Sequence, residues 1–470
     1  MPPPFKDLLR KIPAVSDFIT SGPGQEIIKR FGEGMLKQEL RLLLSEIRTD
    51  ITSGKINKVP DANELKDELM KRMDRAISNR GRYAVNAAGI LLHTGLGRAP
   101  LCKEAIDALQ VMNGYSILQA DTSTGKRSSR EEKIEKMMIE LTGCEAATLV
   151  NNNAAATVLV LNTLAEGKEV ILSRGQLIEI GGSFRIPEVM SKSSAILKEI
   201  GTTNRTHLRD YEKAVSENTG AFLHVHTSNF RVRGFAGVPD IIQLCELGKK
   251  LGIPVIDDLG SGALIKLSDY GISDEPLIVD SINAGSDVVC FSGDKLISGP
   301  QCGIICGKKD IINQIRKNPF ARMFRVCKLT LAALEATLVH FINGTYKEAI
   351  PFYRMLGVTV DVLNKRAIFI KETLDAIPEL EISLADDVSY VGSGSLPDEG
   401  IPTKIVRIIP GKDFSKKTNV DEISKQLRML MPSIFCRVNE GALCFDMRTL
   451  FDGEEQEIIN GMKKVVEILK

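Results

Sequence analysis

"VVCFSGDKLISGPQCGIICGKK", residues 288–309, sets two short apolar runs on either side of a glycine-rich turn that carries Asp294 and Lys295. A β-branched apolar run of this length reads as a buried strand. Its abrupt end at Ser292-Gly293-Asp294-Lys295 poses a choice. Either the strand has surfaced and the lysine is solvated, or the lysine is a nucleophile held at the rim of a sheet. The stretches around it decide.

Runs of the same kind precede it: AATLV (146–150), EVILS (169–173), AILKEIG (195–201), AFLHVH (221–226) and PVIDD (254–258). Helical patterns lie between most of them. This alternation predicts an α/β domain with a mainly parallel sheet. Such sheets bind ligands at the carboxyl ends of their strands, so the residues just after each run are the candidates for chemistry.

The first run leads into Asn151–Thr157, NNNAAAT. A small-residue helix start after a strand presents free backbone N–H groups and the positive end of the helix dipole to an anion. Plain N-capping by asparagine explains the same residues. The PVIDD run ends in two adjacent carboxylates, Asp257 and Asp258. On a strand they point to opposite faces, so one can meet a ligand while the other caps or pairs. No histidine cluster accompanies them, and no metal is expected. The alternative is an aspartate that holds a protonated ring nitrogen, as enzymes using pyridoxal phosphate (PLP) require.

Lys295 follows Asp257 by 38 residues, after the next strand. That is the order found in PLP enzymes of the aspartate-aminotransferase fold type. The residue types suit the chemistry. A partly buried lysine amine stays neutral enough to form the Schiff base, the acid keeps the pyridinium protonated, and Ser292 is a candidate phosphate contact. Ser292-Gly293-Asp294-Lys295 also fits the S-x-x-K of serine acyl-transferases. That family needs a Lys-Thr-Gly and a Ser-Asp-Asn element, and neither occurs here.

Arginines supply a further signal. Arg98 lies in TGLGRAPL, Arg174, Arg185 and Arg205 lie near strand ends, and Arg322 and Arg325 share NPFARMFRVCKLT. Guanidinium forks match phosphate oxygens. Each alone is more often a surface ion pair. Several at glycine-rich turns suggest a site for more than one phosphate-like anion.

At 470 residues, two or three domains are expected. Residues 1–75 read as amphipathic helices whose polar face carries Lys29, Arg30, Lys37, Arg41 and Arg48 among acidic residues. A net charge of +1 argues against a nonspecific polycation, although a local patch can still bind nucleic acid. No run of about 18 apolar residues predicts a membrane span. The N-terminus lacks the apolar block of a secretory signal. Nine scattered cysteines read as reduced, mostly buried thiols of a cytoplasmic protein. After residue 335 helices and strands mix, with TKIVRIIP and GALCFDM as strands, YRMLGVTVDVLNKRAIFIKETLDAI as helical and EEQEIINGMKKVVEILK as a closing helix.

Taken together, LLRKIPAV, NAAGILLHTGLGRAPL, VNNNAAATVLVLNTLAEGKEVILSRGQLIEIGGSFRIPEVM, PVIDDLGSGAL, FSGDKLISGPQCGII, GSGSLPDEGIPTKIV and FDMRTL resemble the bacterial selenocysteine synthases, the L-seryl-tRNA(Sec) selenium transferases. The match spans nearly the whole chain.

The resemblance implies a fold-type-I PLP enzyme with the cofactor on Lys295, its phosphate near Asn153, Ala154 and Ala155, and Asp257 as the pyridinium partner. It implies that seryl-tRNA(Sec) loses its hydroxyl to give an aminoacrylyl-tRNA, which takes selenium from selenophosphate. Arg98, Arg322 and Arg325 would bind selenophosphate, and Asp294 would orient Lys295 or move a proton. The expected division is an N-terminal tRNA-binding domain (1–75), a linker with the active-site arginine (76–100), a PLP-binding domain (101–335) and a small α+β domain (336–470). A homo-oligomer, a ring of dimers, is expected. Cys302 replaces the family's usual alanine. The rivals are a PLP-dependent small-molecule lyase on the same scaffold, and a tRNA-binding scaffold without catalysis. The lyase has little need of the N-terminal helices, and intact Lys295 and Asp257 argue against the scaffold.

Overall fold

The computed structural model describes residues 6–78, 83–181, 184–227, 230, 232, 234–272, 275–392 and 400–470. Residues 393–399 of the matching stretch GSGSLPDEGIPTKIV lie outside these. The chain forms two compact units, one running to Ala84 together with Met431–Ser433, the other comprising Val85–Leu430 and Ile434–Lys470.

The first unit is helical, with helices Gly22–Phe31, Glu33–Thr52 and Ala62–Ser78 among its elements. Leu36, Leu40, Leu43, Leu44, Ile47 and Ile51 recur at helical spacing and are all buried, packed with Ile27, Leu65, Leu69 and Met73. The third helix starts at a capping box. The Asp61 carboxylate accepts the N–H groups of Asn63 and Glu64, and Glu64 accepts the N–H of Asp61. The polar face is partly neutralised, because Arg30 pairs with Asp74, Lys37 with Glu33 and Arg72 with Glu46 and Glu68. Lys29, Arg41 and Arg48 are exposed.

The second unit holds two larger sheets. The main one uses β1 (Ala146–Val150), β2 (Glu169–Ser173), β3 (Ile196–Ile200), β4 (Thr219–Val225), β5 (Val255–Gly260), β6 (Val288–Ser292) and β7 (Gly303–Gly307). Their spatial order is β1-β7-β6-β5-β4-β2-β3. All neighbours run parallel except β7, which is antiparallel to both β1 and β6. All seven runs named from the sequence are therefore strands of one mainly parallel sheet. Helices cover both faces. Along β6, Val288 and Cys290 pack with helix Asn153–Ala165, while Val289 and Phe291 pack with helices Glu132–Thr142 and Lys328–Ile342. A sheet buried on both sides needs continuous apolar strands, which is what these runs are.

The second sheet has the order Ala84–Ala87, Ser433–Asn439, Ala442–Asp446, Ile401–Pro410, Leu380–Ser389. Residues 76–100, expected to link domains, thus contribute a strand to it. The helical reading of 353–377 holds in two pieces, Pro351–Gly357 and Val360–Leu374. No helix among the described residues is long and apolar enough to cross a membrane. Seven of the nine cysteines are buried, none is in a disulfide, and Cys327 is exposed.

Candidate active site

The carboxyl ends of β1, β5 and β6 converge on a cavity of about 300 Å3 lined by Arg98, Asn153, Asp258, Ser292, Asp294 and Lys295 among others. Lys295 is 6% exposed. Burial, reinforced by the Arg98 charge, pushes its amine below the ordinary lysine range, against the opposing pull of Asp258, Asp294 and Glu275. Its loop is rigid. The Ser298 N–H donates to the Lys295 carbonyl at 2.9 Å, Gly299 N to the Gly293 carbonyl at 2.9 Å, and the Tyr353 hydroxyl to the Leu296 carbonyl at 2.7 Å. The opening choice is settled in favour of a buried lysine.

The two aspartates separate as strand alternation requires, and the structure corrects which one meets the cavity. Asp257, read as the ring-nitrogen partner, is not among the residues that line the Lys295 cavity. Its Oδ1 lies 2.8 Å from His224 Nδ1, and its Oδ2 accepts from Ser281 at 2.6 Å. Asp258 lines the cavity and accepts from Asn153 Nδ2 at 2.8 Å and Thr157 Oγ1 at 2.9 Å. The reason is the packing of a helix on one face of β5. Asp258 shares the face of Ile256, which helix Asn153–Ala165 covers. Burial raises the Asp258 carboxyl above the ordinary range, with Asp257 adding to the rise. A buried acid in that state is stabilised by a cationic partner.

The first turn of helix Asn153–Ala165 faces the same cavity through Asn153 and Ala154. Ala155 does not line it, and its N–H is taken by the Asn152 side chain at 2.9 Å. Gly303 on β7 makes this junction possible, since a Cβ there would sit 2.3 Å from the Asn152 carbonyl oxygen. Asn153 Oδ1 is buried without a hydrogen-bond partner among the described residues. Ser292, at the end of β6, is buried on the cavity wall.

Arg98 reaches the cavity from a left-handed backbone position, φ 63°, unusual for a side chain of its size. It donates to Asp294 Oδ2 at 2.6 Å. Arg322 and Arg325 are not brought to Arg98 within the chain. They line a separate cleft of about 360 Å3 with Arg316. Their turn is held at the end of β1, where Asn151 N–H donates to the Phe324 carbonyl at 2.9 Å. Repulsion from Arg130, Arg322 and Arg127 lowers the basicity of Arg325, against the opposing pull of Glu131, which also lines the cleft. His226 and Gln301 also line the Lys295 cavity. The sequence reading missed both, although His226 directly follows β4 and strand ends were the right place to look.

These residues fit PLP. They supply a buried lysine of lowered basicity, a buried acid for a ring nitrogen, and a helix N-terminus with an adjacent serine for a phosphate.

The model of the L-seryl-tRNA selenium transferase family matches residues 84–451. The chain belongs to that family. It is 44% identical over 467 residues to the L-seryl-tRNA(Sec) selenium transferase of Aquifex aeolicus, covering 99% of this chain and all of the relative. It is 43% identical over 452 residues to the transferase of Carboxydothermus hydrogenoformans, covering 96% of each chain. Among solved structures it is similar to D-glucosaminate-6-phosphate ammonia-lyase, with a TM-score of 0.58 and 19% identity, covering 84% of this chain and 98% of that one. The lyase shares the fold. The transferases share the fold and nearly the whole length, the N-terminal helical unit included.

Proposed function

We propose that this chain converts seryl-tRNA(Sec) to selenocysteinyl-tRNA(Sec) with PLP on Lys295, replacing the serine hydroxyl by selenium from selenophosphate. The observation that carries the reading is the buried, weakly basic Lys295 facing Asp258 in a chain related end to end to the transferases.

PLP, when bound, supplies an electron sink for a carbanion at the serine α-carbon. The chain's own residues do the rest. Asp258 holds the ring nitrogen, oriented by Asn153 and Thr157. The helix N-terminus at Asn153 and Ala154, with Ser292, would hold the phosphate. The lowered basicity of Lys295 would leave its amine neutral and able to accept the α-proton. Asp294 fixes Arg98 at the cavity mouth, where a guanidinium meets an incoming phosphate-like donor. Arg322 and Arg325 join this donor site from a neighbouring subunit of a homo-oligomeric ring, which is consistent with their lying apart from Arg98 in one chain. The cytoplasm, where aminoacyl-tRNA is made, is the expected location. The small-molecule lyase reading rests on likeness of fold alone.

Two tests follow from these roles. Arg98→Ala raises KM for selenophosphate by about 10-fold or more, from loss of a charge-assisted contact, and leaves PLP binding intact. Steady-state kinetics at varied selenophosphate measure it, and an unchanged KM counts against Arg98. We assign recognition of the tRNA body to residues 1–75. Reversing Lys29, Arg41 and Arg48 to Glu weakens tRNA affinity and flattens its salt dependence. Filter binding at several salt concentrations reads both, and a slope equal to that of the parent protein removes these side chains from the interface.

A further inference from the structure

A second chamber, of about 260 Å3, lies at the ends of β2, β3 and β4 and shares Val225 and His226 with the Lys295 cavity. Two of its polar groups have no task in the chemistry above. Gln176, 3% exposed, lines the chamber, and its Oε1 is buried without a hydrogen-bond partner among the described residues. His224 lines it too. The bond from its Nδ1 to Asp257, which Ser281 holds from the other side, fixes the ring so that its other edge serves the chamber. The paired positions of His224 and Asp257 in the β4–β5 ladder set this bond. Asp257 thus orients a histidine at the neighbouring chamber.

An amide oxygen without a partner among the described residues, in a buried wall, is available to a donor on a bound ligand. A glutamine side chain offers one acceptor and one donor side by side, which is the pattern that meets the N6 amine and N7 of adenine. The volume falls just below the roughly 300 Å3 at which pockets for drug-sized ligands begin, so it suits one nucleoside and excludes a helical stem. On the functional reading above, the serine amine must reach Lys295. The group esterified to that serine is the terminal adenosine of the tRNA, and it must lie in the space next to the Lys295 cavity.

We propose that this chamber is the subsite for the terminal adenosine, with Gln176 reading the base and His224, held by Asp257, lining the site as a positioning residue. The proposal rests on the tRNA reading of the active site.

The test compares two inhibitors of the PLP-loaded enzyme turning over seryl-tRNA(Sec): serine amide, and 3′-serylamino-3′-deoxyadenosine. The conjugate is expected to inhibit at least about 10-fold more tightly, the scale of one bidentate base contact. Gln176→Met, close in shape, is expected to cut that preference at least about threefold while serine amide binds as before. A native preference below 10-fold, or one that Gln176→Met changes by less than threefold, overturns the subsite. If the native enzyme turns over no seryl-tRNA(Sec), the functional reading itself fails, which is a separate outcome visible in the uninhibited control.

Discussion

Lys295→Ala is expected to lose turnover by at least about 1,000-fold, because one side chain carries both the cofactor attachment and the proton transfer. The purified variant should also lack the visible absorption of lysine-bound PLP. Its fold should persist. Among the described residues the Lys295 amine makes no hydrogen bond that holds the loop, which is anchored through backbone groups of Gly293, Lys295 and Leu296. A variant with the parent's spectrum and rate would remove Lys295 from the chemistry. The pH dependence follows from the same environment. A lysine at its ordinary pKa of about 10.4 is mostly charged near neutrality. Burial and Arg98 lower the Lys295 value, so the neutral amine accumulates at lower pH. The rate of PLP attachment to the cofactor-free protein should therefore rise with pH and level off below the ordinary lysine range. Stopped-flow absorbance measures it, and a rise continuing past pH of about 10.4 would show an unperturbed lysine.

The second large effect separates the two adjacent aspartates. Asp258→Asn is expected to lower kcat by about 100-fold to 1,000-fold, the usual consequence of removing one preorganised electrostatic contact from a reacting group. An amide cannot hold a protonated ring nitrogen by charge, and the Asn153 and Thr157 donors to Asp258 lose their ionic acceptor. Asp257→Asn changes kcat by less than about 10-fold, because its partners are His224 and Ser281, away from Lys295. Measuring kcat for both variants decides the assignment. The reverse ranking would restore Asp257 as the ring partner.

That pair shows where sequence reasoning stops. Both carboxylates at the end of PVIDD were visible, and so was the rule that they face opposite ways. Which one faces the Lys295 cavity depends on which face of β5 helix Asn153–Ala165 covers, and that is a tertiary fact. All seven strands of the main sheet were legible, since a strand buried on both sides must be apolar throughout. Leu380–Ser389 was not. It is an edge strand whose burial is only partial, and LEISLADDVS carries acidic residues that mask its alternation. Ala84–Ala87 is four residues long, too short to show an alternation of its own. Arg98 was found from its glycine-rich turn. The separation of Arg322 and Arg325 from it was not, because spacing along a sequence does not say which turns fold against one another. Gln176 and His224 were silent for another reason. A buried amide or histidine looks like any core-facing polar residue until its unmet or fixed hydrogen bond is seen.

The measurement that bears most directly on the central claim is turnover by the purified, PLP-loaded protein. It is supplied with selenophosphate and seryl-tRNA(Sec), with seryl-tRNA(Ser) and free serine as controls. Selenocysteinyl-tRNA formed from seryl-tRNA(Sec) alone is the predicted result. A PLP-loaded protein that converts no tRNA and instead eliminates from a free amino acid or amino sugar would contradict it, leaving the fold in place and making the chain a small-molecule lyase.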